Sequence, residues 1–474
     1  MAEFDLAVVG AGAAGLSVAA AAAQLGRRVA LIERDRMGGD CLNVGCVPSK
    51  ALLAAAHAAA DARDAGRLGV RIAPPQIDWP AVRRHVHGVI AALAPADSVE
   101  RFTSLGATVM PGEARFVARD ALMVTGAAGE RRIAARRIVL AAGSRATIPD
   151  LPGLDAIRFL THATLFDLPE RPAHLLILGG GAIGLEMAQA HAELGCAVTI
   201  VERGRLGGRE DPELAAVLRE ALIRAGVTVI EHAEVARVEP GVTLALSDGR
   251  RVAGSHLLVA VGRTPNLERL DLAAGGVRAT ARGIATDAGL RSLSNRRVFA
   301  VGDIADPEGI GPQYLTHAAS HHAGVVIRRA LFRLPARIAA TVPRVIYTAP
   351  ELAQAGLTES QARDAGSLAE VLRWRLADND RAQAERRPEG LVKLVVGRRG
   401  RILGAGIAAP HAGEMIGVWT LAISRGVPLS ALADLIVPYP TRAEAAKRAA
   451  GSLYARRLFA ASTQRLVRLL ALLP

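Results

Sequence analysis

Cysteine, lysine and aromatic side chains are all scarce in this chain of 474 residues. Three cysteines exclude a secreted disulfide scaffold. Aromatics are 3% of the residues, so the core must come from Ala, Val, Leu and Ile, and a 51% hydrophobic share supplies enough of them. That scarcity also argues against a base-stacking RNA reader. Lysine occurs only at positions 50, 393 and 447, while the other 55 basic residues are Arg. Lys50 is therefore conspicuous. Charge is missing from Leu6 to Gly26. That run could pass for a leader or a membrane segment, but glycines fall early in it and its flank is acidic (Glu3, Asp5). A cytoplasmic protein is expected.

Two of the three cysteines fall in one run, Gly38-Gly39-Asp40-Cys41-Leu42-Asn43-Val44-Gly45-Cys46-Val47-Pro48-Ser49-Lys50. Five residues apart, at the start of a helical pattern, they suit a small, strained, reducible disulfide. A structural bridge is a weaker reading, because bridges gain most by closing long loops. A zinc clip is weaker too, since no third or fourth ligand lies close in sequence. No resident metal is expected.

Two segments repeat one pattern. Phe4 to Val9 reads as a strand, followed by Gly10-Ala11-Gly12-Ala13-Ala14-Gly15, an Ala-rich helix, and a strand from Val29 ending at Glu33. His174 to Leu178 is followed by Gly179-Gly180-Gly181-Ala182-Ile183-Gly184, a helix, and a strand from Ala197 to Val201 ending at Glu202. In each, the acid lies 18 residues after the last glycine (15 to 33, 184 to 202). A lone GxGxxG is weak, but the full strand–turn–helix–strand–acid context is specific for a dinucleotide. The first glycine allows the turn, the second admits a pyrophosphate, and the third lets helix and strand pack. Free N–H groups at the helix start hold phosphate, and the acid holds a ribose. Two purely structural units remain the alternative.

Two units imply two nucleotides. The cysteine run follows the first, which is expected to hold FAD, leaving NADH or NADPH for the second. Glu202 favours NAD by repelling a 2′-phosphate, although Arg203 and Arg205 could hold one. The net charge of +13 admits nucleic acid or membrane as a partner. The arginines are scattered, however, and attraction of anionic dinucleotides is the reading taken, with no nucleic-acid partner. Further strand-plus-glycine runs end at Gly143-Ser144, Val261-Gly262-Arg263 and Gly302-Asp303. Asp303 is either a flavin ribitol or pyrophosphate contact or an ordinary turn residue. From about residue 340 the pattern turns to mixed helix and strand, including Leu391 to Val396.

These pieces in this order resemble the pyridine-nucleotide–disulfide oxidoreductases, from about residue 4 to 450. The most specific matches are Gly39 to Lys50, Val342-Pro343-Arg344-Val345-Ile346-Tyr347-Thr348-Ala349-Pro350-Glu351, and Gly112-Glu113-Ala114-Arg115-Phe116. The resemblance implies an α/β fold with two Rossmann-like FAD and NAD(P) domains and an α+β dimerisation domain that makes a homodimer. The divisions expected are 1–150 with 265–338 for FAD, 151–264 for NAD(P), 339–453 for dimerisation, and a basic tail helix over 454–474. Cys46 would face the flavin as a charge-transfer thiolate, Cys41 would meet the substrate, and Lys50 and Glu186 would sit beside flavin N5. FAD contacts would come from Gly10, Gly12, Ala13, Ala14, Gly15, Glu33, Arg34, Lys50, Ala114, Ala142, Gly143, Ser144, Gly302 and Asp303. Nicotinamide-nucleotide contacts would come from Gly179, Gly181, Ala182, Ile183, Gly184, Glu202, Val261 and Gly262.

Departures from the family pattern matter for the acceptor. Val437-Pro438-Tyr439-Pro440-Thr441-Arg442-Ala443-Glu444 has Tyr439 where disulfide-reducing members carry a His, with Glu444 as its following acid. An ordinary phenol, with a pKa of about 10, is a poor base at neutral pH. Mercuric reductases share the Tyr and the Arg209-Glu210-Asp211-Pro212 run, yet use a C-terminal cysteine pair, and no cysteine follows Cys196 here. Cys196 reads as a small buried residue. Tyr439 is expected over the partner subunit's site, or as a packing aromatic. The expected function is transfer of electrons from NAD(P)H through FAD and Cys41–Cys46 to a disulfide or metal-ion acceptor. Dihydrolipoamide dehydrogenase, and a diaphorase or quinone reductase with unused cysteines, are the alternatives. The tail is either an extra helix packed on the dimer or a helix lying on an anionic membrane.

Overall fold

Alternating apolar strands and Ala-rich helices fold into three sheet-centred bodies, seen in a computed structural model that describes residues 2–473. In the first, parallel strands run in the order Ala107–Pro111, Val29–Glu33, Phe4–Val9, Gly129–Leu140, with Val298–Ala300 on the far side. Strands in the middle of such a sheet are covered on both faces and therefore read as unbroken apolar runs. Leu6, Ala7 and Val8 are fully buried, as are Ile138, Val139 and Leu140. Gly129–Leu140 extends beyond the parallel part to pair antiparallel with Ala121–Gly126.

The second body repeats the plan on a smaller scale. His174–Leu178 pairs in parallel with Ala197–Val201 and with His256–Val259, and Val227–Ile230 closes the outer edge. The third is an antiparallel sheet of five strands, with Ile402–Ala409 central and the helices Ala412–Arg425 and Ala443–Leu458 packed on it. Its core is closed by Trp419, one of the few large aromatics.

The Glu210-Asp211-Pro212 run ties the second body to the third. Glu210 takes two bonds from Arg344 at 3.1 Å, and Lys393 reaches Asp211 at 2.8 Å and Glu213 at 2.5 Å. Lys393 is 3% exposed. A buried cation persists only with partners of this kind, and removing one is strongly destabilising.

The redox helix begins at Cys46 and runs to Asp64. The expected single tail helix over 454–474 is two elements. Ala443–Leu458 runs through residue 454 with Leu453 in the core, and Ala461–Leu470 follows a break. Met1 and Pro474 lie outside the described residues. No helix among them is long and apolar enough to cross a membrane.

Candidate active site

Each glycine turn is built as the sequence demands. Gly10 and Gly179 adopt φ of +105° and +112°, where a side chain would also strike the carbonyls of Ala141 and Ala260. A Cβ on Gly15 would lie 1.9 Å from the Gly10 oxygen, and one on Gly184 would lie 2.1 Å from that of Gly179. Gly12 and Gly181 have room within the protein, so their bareness serves something outside it. Both acids grip their own turn. Glu33 accepts from Ala11 N at 2.6 Å and Asp35 N at 2.9 Å; Glu202 accepts from Gly180 N at 2.6 Å and Gly204 N at 2.7 Å.

The first turn opens into a cavity of about 1550 Å³. That exceeds the roughly 300–1,000 Å³ of drug-sized pockets and suits a whole dinucleotide. Four helices start at its wall, at Ala13, Cys46, Ala182 and Thr316. None of these starts carries a side-chain cap, so the backbone N–H groups stay free for an anion. The bare Gly12, these helix starts and the cavity's size fit FAD. Arg34, Ala114, Ala142, Gly143, Ser144, Gly302 and Asp303 also line it.

Cys41 and Cys46 meet at the cavity wall as free thiols, the dithiol form of the expected pair. A residue absent from the sequence reading joins them. The Thr316 hydroxyl donates to Cys41 Sγ at 3.3 Å and lies 3.4 Å from Cys46 Sγ. The two sulfurs divide their protons unequally. The Cys41 hydrogen bond pulls the Cys46 thiol down to about 6 against the opposing effect of burial, with Thr316 and the Lys50 charge assisting. The same hydrogen bond and burial raise Cys41 well above the ordinary thiol range. At neutral pH Cys46 is thus the thiolate and Cys41 the protonated partner, as expected for a sulfur at a helix start.

Lys50 lies one helical turn beyond Cys46 and reaches Glu186 Oε2 at 2.7 Å. Glu186, 5% exposed, stands on the helix of the second glycine unit, so this pair joins the two units. The third body completes the pair. Tyr347 N donates to Glu186 Oε1 at 3.1 Å, and Lys50 Nζ lies 4.2 Å from the Tyr347 ring centroid. Ala182 and Ile183 line the same cavity, whereas Gly179, Gly181, Gly184, Glu202, Val261 and Gly262 stand back from it. Ile183 and Val261 are exposed.

A second polar network lies beside Cys41. Asp40 Oδ2 accepts from Arg263 and contacts His162 Nε2 at 3.1 Å. Arg263 Nε donates to Ser144 Oγ at 2.6 Å, and Ser144 donates to Asp303 at 2.6 Å. Burial raises Asp303 despite Ser144 and Arg263, whereas His162 and Arg263 outweigh burial at Asp40 and hold it down. Behind Gly302, buried His322 accepts from its N–H at 3.1 Å, and desolvation keeps that ring neutral, at about 4. Asp40 lay inside the cysteine run and Arg263 directly after Val261-Gly262, but only the fold brings His162, Thr316 and His322 to them.

Two expected site residues, Tyr439 and Glu444, stand apart, and Cys196 is buried as expected. Tyr439 is 68% exposed and donates to Asp380 at 3.0 Å, away from the cavity. Glu444 pairs with Arg448 at 3.4 Å. Cys196 is buried in the helix-to-strand turn of the second unit, its thiol pushed up to about 11 by desolvation.

The match to known proteins spans both parts of the chain. Residues 4–324 match the pyridine nucleotide-disulphide oxidoreductase family and residues 342–450 its dimerisation domain. A mercuric reductase from Streptomyces lividans is 37% identical over 94% of this chain and 95% of its own length. A dihydrolipoyl dehydrogenase from Geobacillus stearothermophilus is 34% identical over 94% and 96%. Among solved structures, LpdA from Mycobacterium tuberculosis has a TM-score of 0.85 at 29% identity, covering 94% of this chain and 99% of that one. The HOCl-induced flavoprotein disulfide reductase RclA from Escherichia coli has a TM-score of 0.83 at 27% identity over 94% and 99%. The chain belongs to the pyridine nucleotide-disulfide oxidoreductases of class I, with two Rossmann-like domains and a dimerisation domain. It is an FAD- and NAD(P)H-dependent flavoprotein disulfide oxidoreductase, and its dimerisation domain makes it a homodimer.

Proposed function

We propose that electrons leave this enzyme through Cys41, with Cys46 as the resolving thiolate, toward a disulfide or a soft metal ion. The observation that carries this reading is the Cys41–Thr316–Cys46 cluster on the cavity wall, within one helical turn of the Lys50–Glu186 pair. The glycine unit at Gly10–Gly15 would hold FAD, and the unit at Gly179–Gly184 would hold NADH. FAD, when bound, carries two electrons from the nicotinamide to the cysteines. Cys41 then attacks an acceptor disulfide, releasing one thiol. Cys46 attacks the Cys41 sulfur, re-forms the Cys41–Cys46 bond and releases the second thiol. In sum, NAD(P)H, a proton and RSSR give NAD(P)⁺ and two RSH.

A metal ion is supported as acceptor by the kinship with mercuric reductases and by the solved Cu(II) complex of RclA, since paired thiolates suit soft ions. Tyr439 of the partner subunit would then lie over the cluster. With no His at that position, the Cys46 thiolate itself is the base nearest the Cys41 proton. Dihydrolipoyl turnover is the second reading, favoured by the kinship over nearly the whole chain. We further propose the division into 1–150 with 265–338, 151–264 and 339–453, and a reducing, cytoplasmic setting.

Anaerobic titration with NADH tests the relay. A long-wavelength band should grow in at two electrons per FAD, as two thiols become alkylatable. In Cys46→Ser the band should vanish and disulfide turnover fall ~10³-fold or more, because a resolving nucleophile acts as a unit with its partner. A Cys46→Ser enzyme that kept both would overturn the reading.

A further inference from the structure

The last two helices are joined in sequence but differ in what they bury. Ala443–Leu458 seats Ala445, Ala446, Ala449, Ala450 and Leu453 in the core of the third body. At Ala460 the backbone turns extended, with φ of −64° and ψ of 150°, and Ala461–Leu470 leaves that surface with no buried residue at all. Its apolar side chains nevertheless form one stripe. Leu466, Leu469, Leu470 and Leu473 recur at i, i+3, i+4 and i+7, and each is more than half exposed. Phe459, 70% exposed, extends the stripe backward. Arg465, Arg468 and Gln464 take the opposite face.

Charge selects the occupant. No acidic residue occurs from 445 to 474, while Arg456, Arg457, Arg465 and Arg468 do. Arg456 is satisfied by Glu370, whereas Arg465 and Arg468 have no acidic partner among the described residues. Ala461–Leu470 also lies beyond the matched dimerisation domain, which ends at residue 450. An apolar stripe with a cationic opposite face and no acids is the pattern of a helix lying in a lipid interface. We infer that Ala461–Leu470 docks the dimer peripherally on an anionic membrane, with the leucine stripe among the acyl chains and Arg465 and Arg468 at the headgroups. Catalysis itself does not require the tail, which contributes no residue to the cavity lining.

The test is co-sedimentation of the FAD-loaded, full-length enzyme with phosphatidylcholine vesicles, with and without phosphatidylglycerol. Binding is expected to the anionic vesicles only and to fall as salt is raised. Arg465→Ala/Arg468→Ala should weaken it ~10-fold or more, since each surface cation adds roughly a fivefold factor. Leu466→Glu/Leu470→Glu should abolish it. NADH turnover and the dimer mass by light scattering should be unchanged in both variants. Failure of the wild type to bind anionic vesicles, or equal binding to phosphatidylcholine alone, overturns the inference. So does a lower dimer mass in Leu466→Glu/Leu470→Glu, which would assign the stripe to the second copy.

Discussion

The two glycine units are close copies in backbone and opposites in surroundings. Their turns share φ within a few degrees, their third glycines face the same carbonyl, and their acids grip the same backbone N–H groups. Around the first, the Cys41–Cys46 segment, the Gly112 turn, Ser144 and Asp303 close a deep cavity. Around the second, positions 181–183 stay exposed. The motif chemistry is therefore generic, and enclosure decides residence. A nucleotide sunk in a deep cavity is expected to stay through many turnovers, while one held at an exposed turn exchanges.

The sharpest way to break that comparison is to collide each third glycine with its carbonyl. Gly15→Val should cost about 3 kcal/mol or more and yield protein without FAD. Gly184→Val should keep FAD at full occupancy, read by absorbance, and lose NADH-driven reduction by ~100-fold or more. Loss of FAD in Gly184→Val would show that the units are not separable.

The acids give the next largest effect. Glu202→Ala deletes one charge-assisted bond to the second turn and one to Gly204 N, and should raise the KM for NADH ~10–100-fold with FAD content intact. Glu33→Ala should instead speed FAD release, measured by dilution and fluorescence. Equal effects of both variants on FAD would contradict the division of labour.

Between the units, the Lys50–Glu186 pair links nucleotide helix to redox helix and trims a Cys46 thiolate that the Cys41 hydrogen bond chiefly sets. The thiolate form exists above its value of about 6, so the long-wavelength band of the reduced enzyme should fade as pH drops through that value. Lys50→Met removes a cation that lowers the thiol and should move the midpoint up. Glu186→Gln removes an opposing anion and should move it down. A midpoint indifferent to both would mean that Lys50 and Glu186 do not act on Cys46.

The smallest effect concerns nucleotide choice. Arg205 bonds the Glu210 carbonyl at 3.1 Å, while Arg203 is exposed. Arg203→Ala/Arg205→Ala should change the NADH-to-NADPH ratio of kcat/KM by less than ~5-fold, as expected for charges that only flank the ribose acid. A larger collapse of NADPH use would reverse the lean toward NAD.

Much of the site was readable because local chemistry fixed it. Gly10, Gly15, Gly179 and Gly184 announce turns that no other residue can make. Cys46 and Lys50 stand one turn apart on a single helix, and Cys41 lies only five residues earlier, on the short helix Gly39–Asn43. Glu186 and Asp303 were placed by resemblance to a family pattern. Thr316, His162, Arg263, His322 and Tyr347 were not picked out, because a lone Thr, His, Arg or Tyr has the same local grammar in a core, a turn or a site.

The sequence by itself determined the two nucleotide turns, the dithiol and the class of fold, since periodicity, glycine sterics and short spacing act within a few residues. Only the tertiary structure decided which turn lies in the cavity, which thiol holds the proton, and that no residue of Ala461–Leu470 is buried. Those depend on desolvation and on partners as far away as Cys41 and Thr316, and a linear pattern does not encode distances across a packed interior.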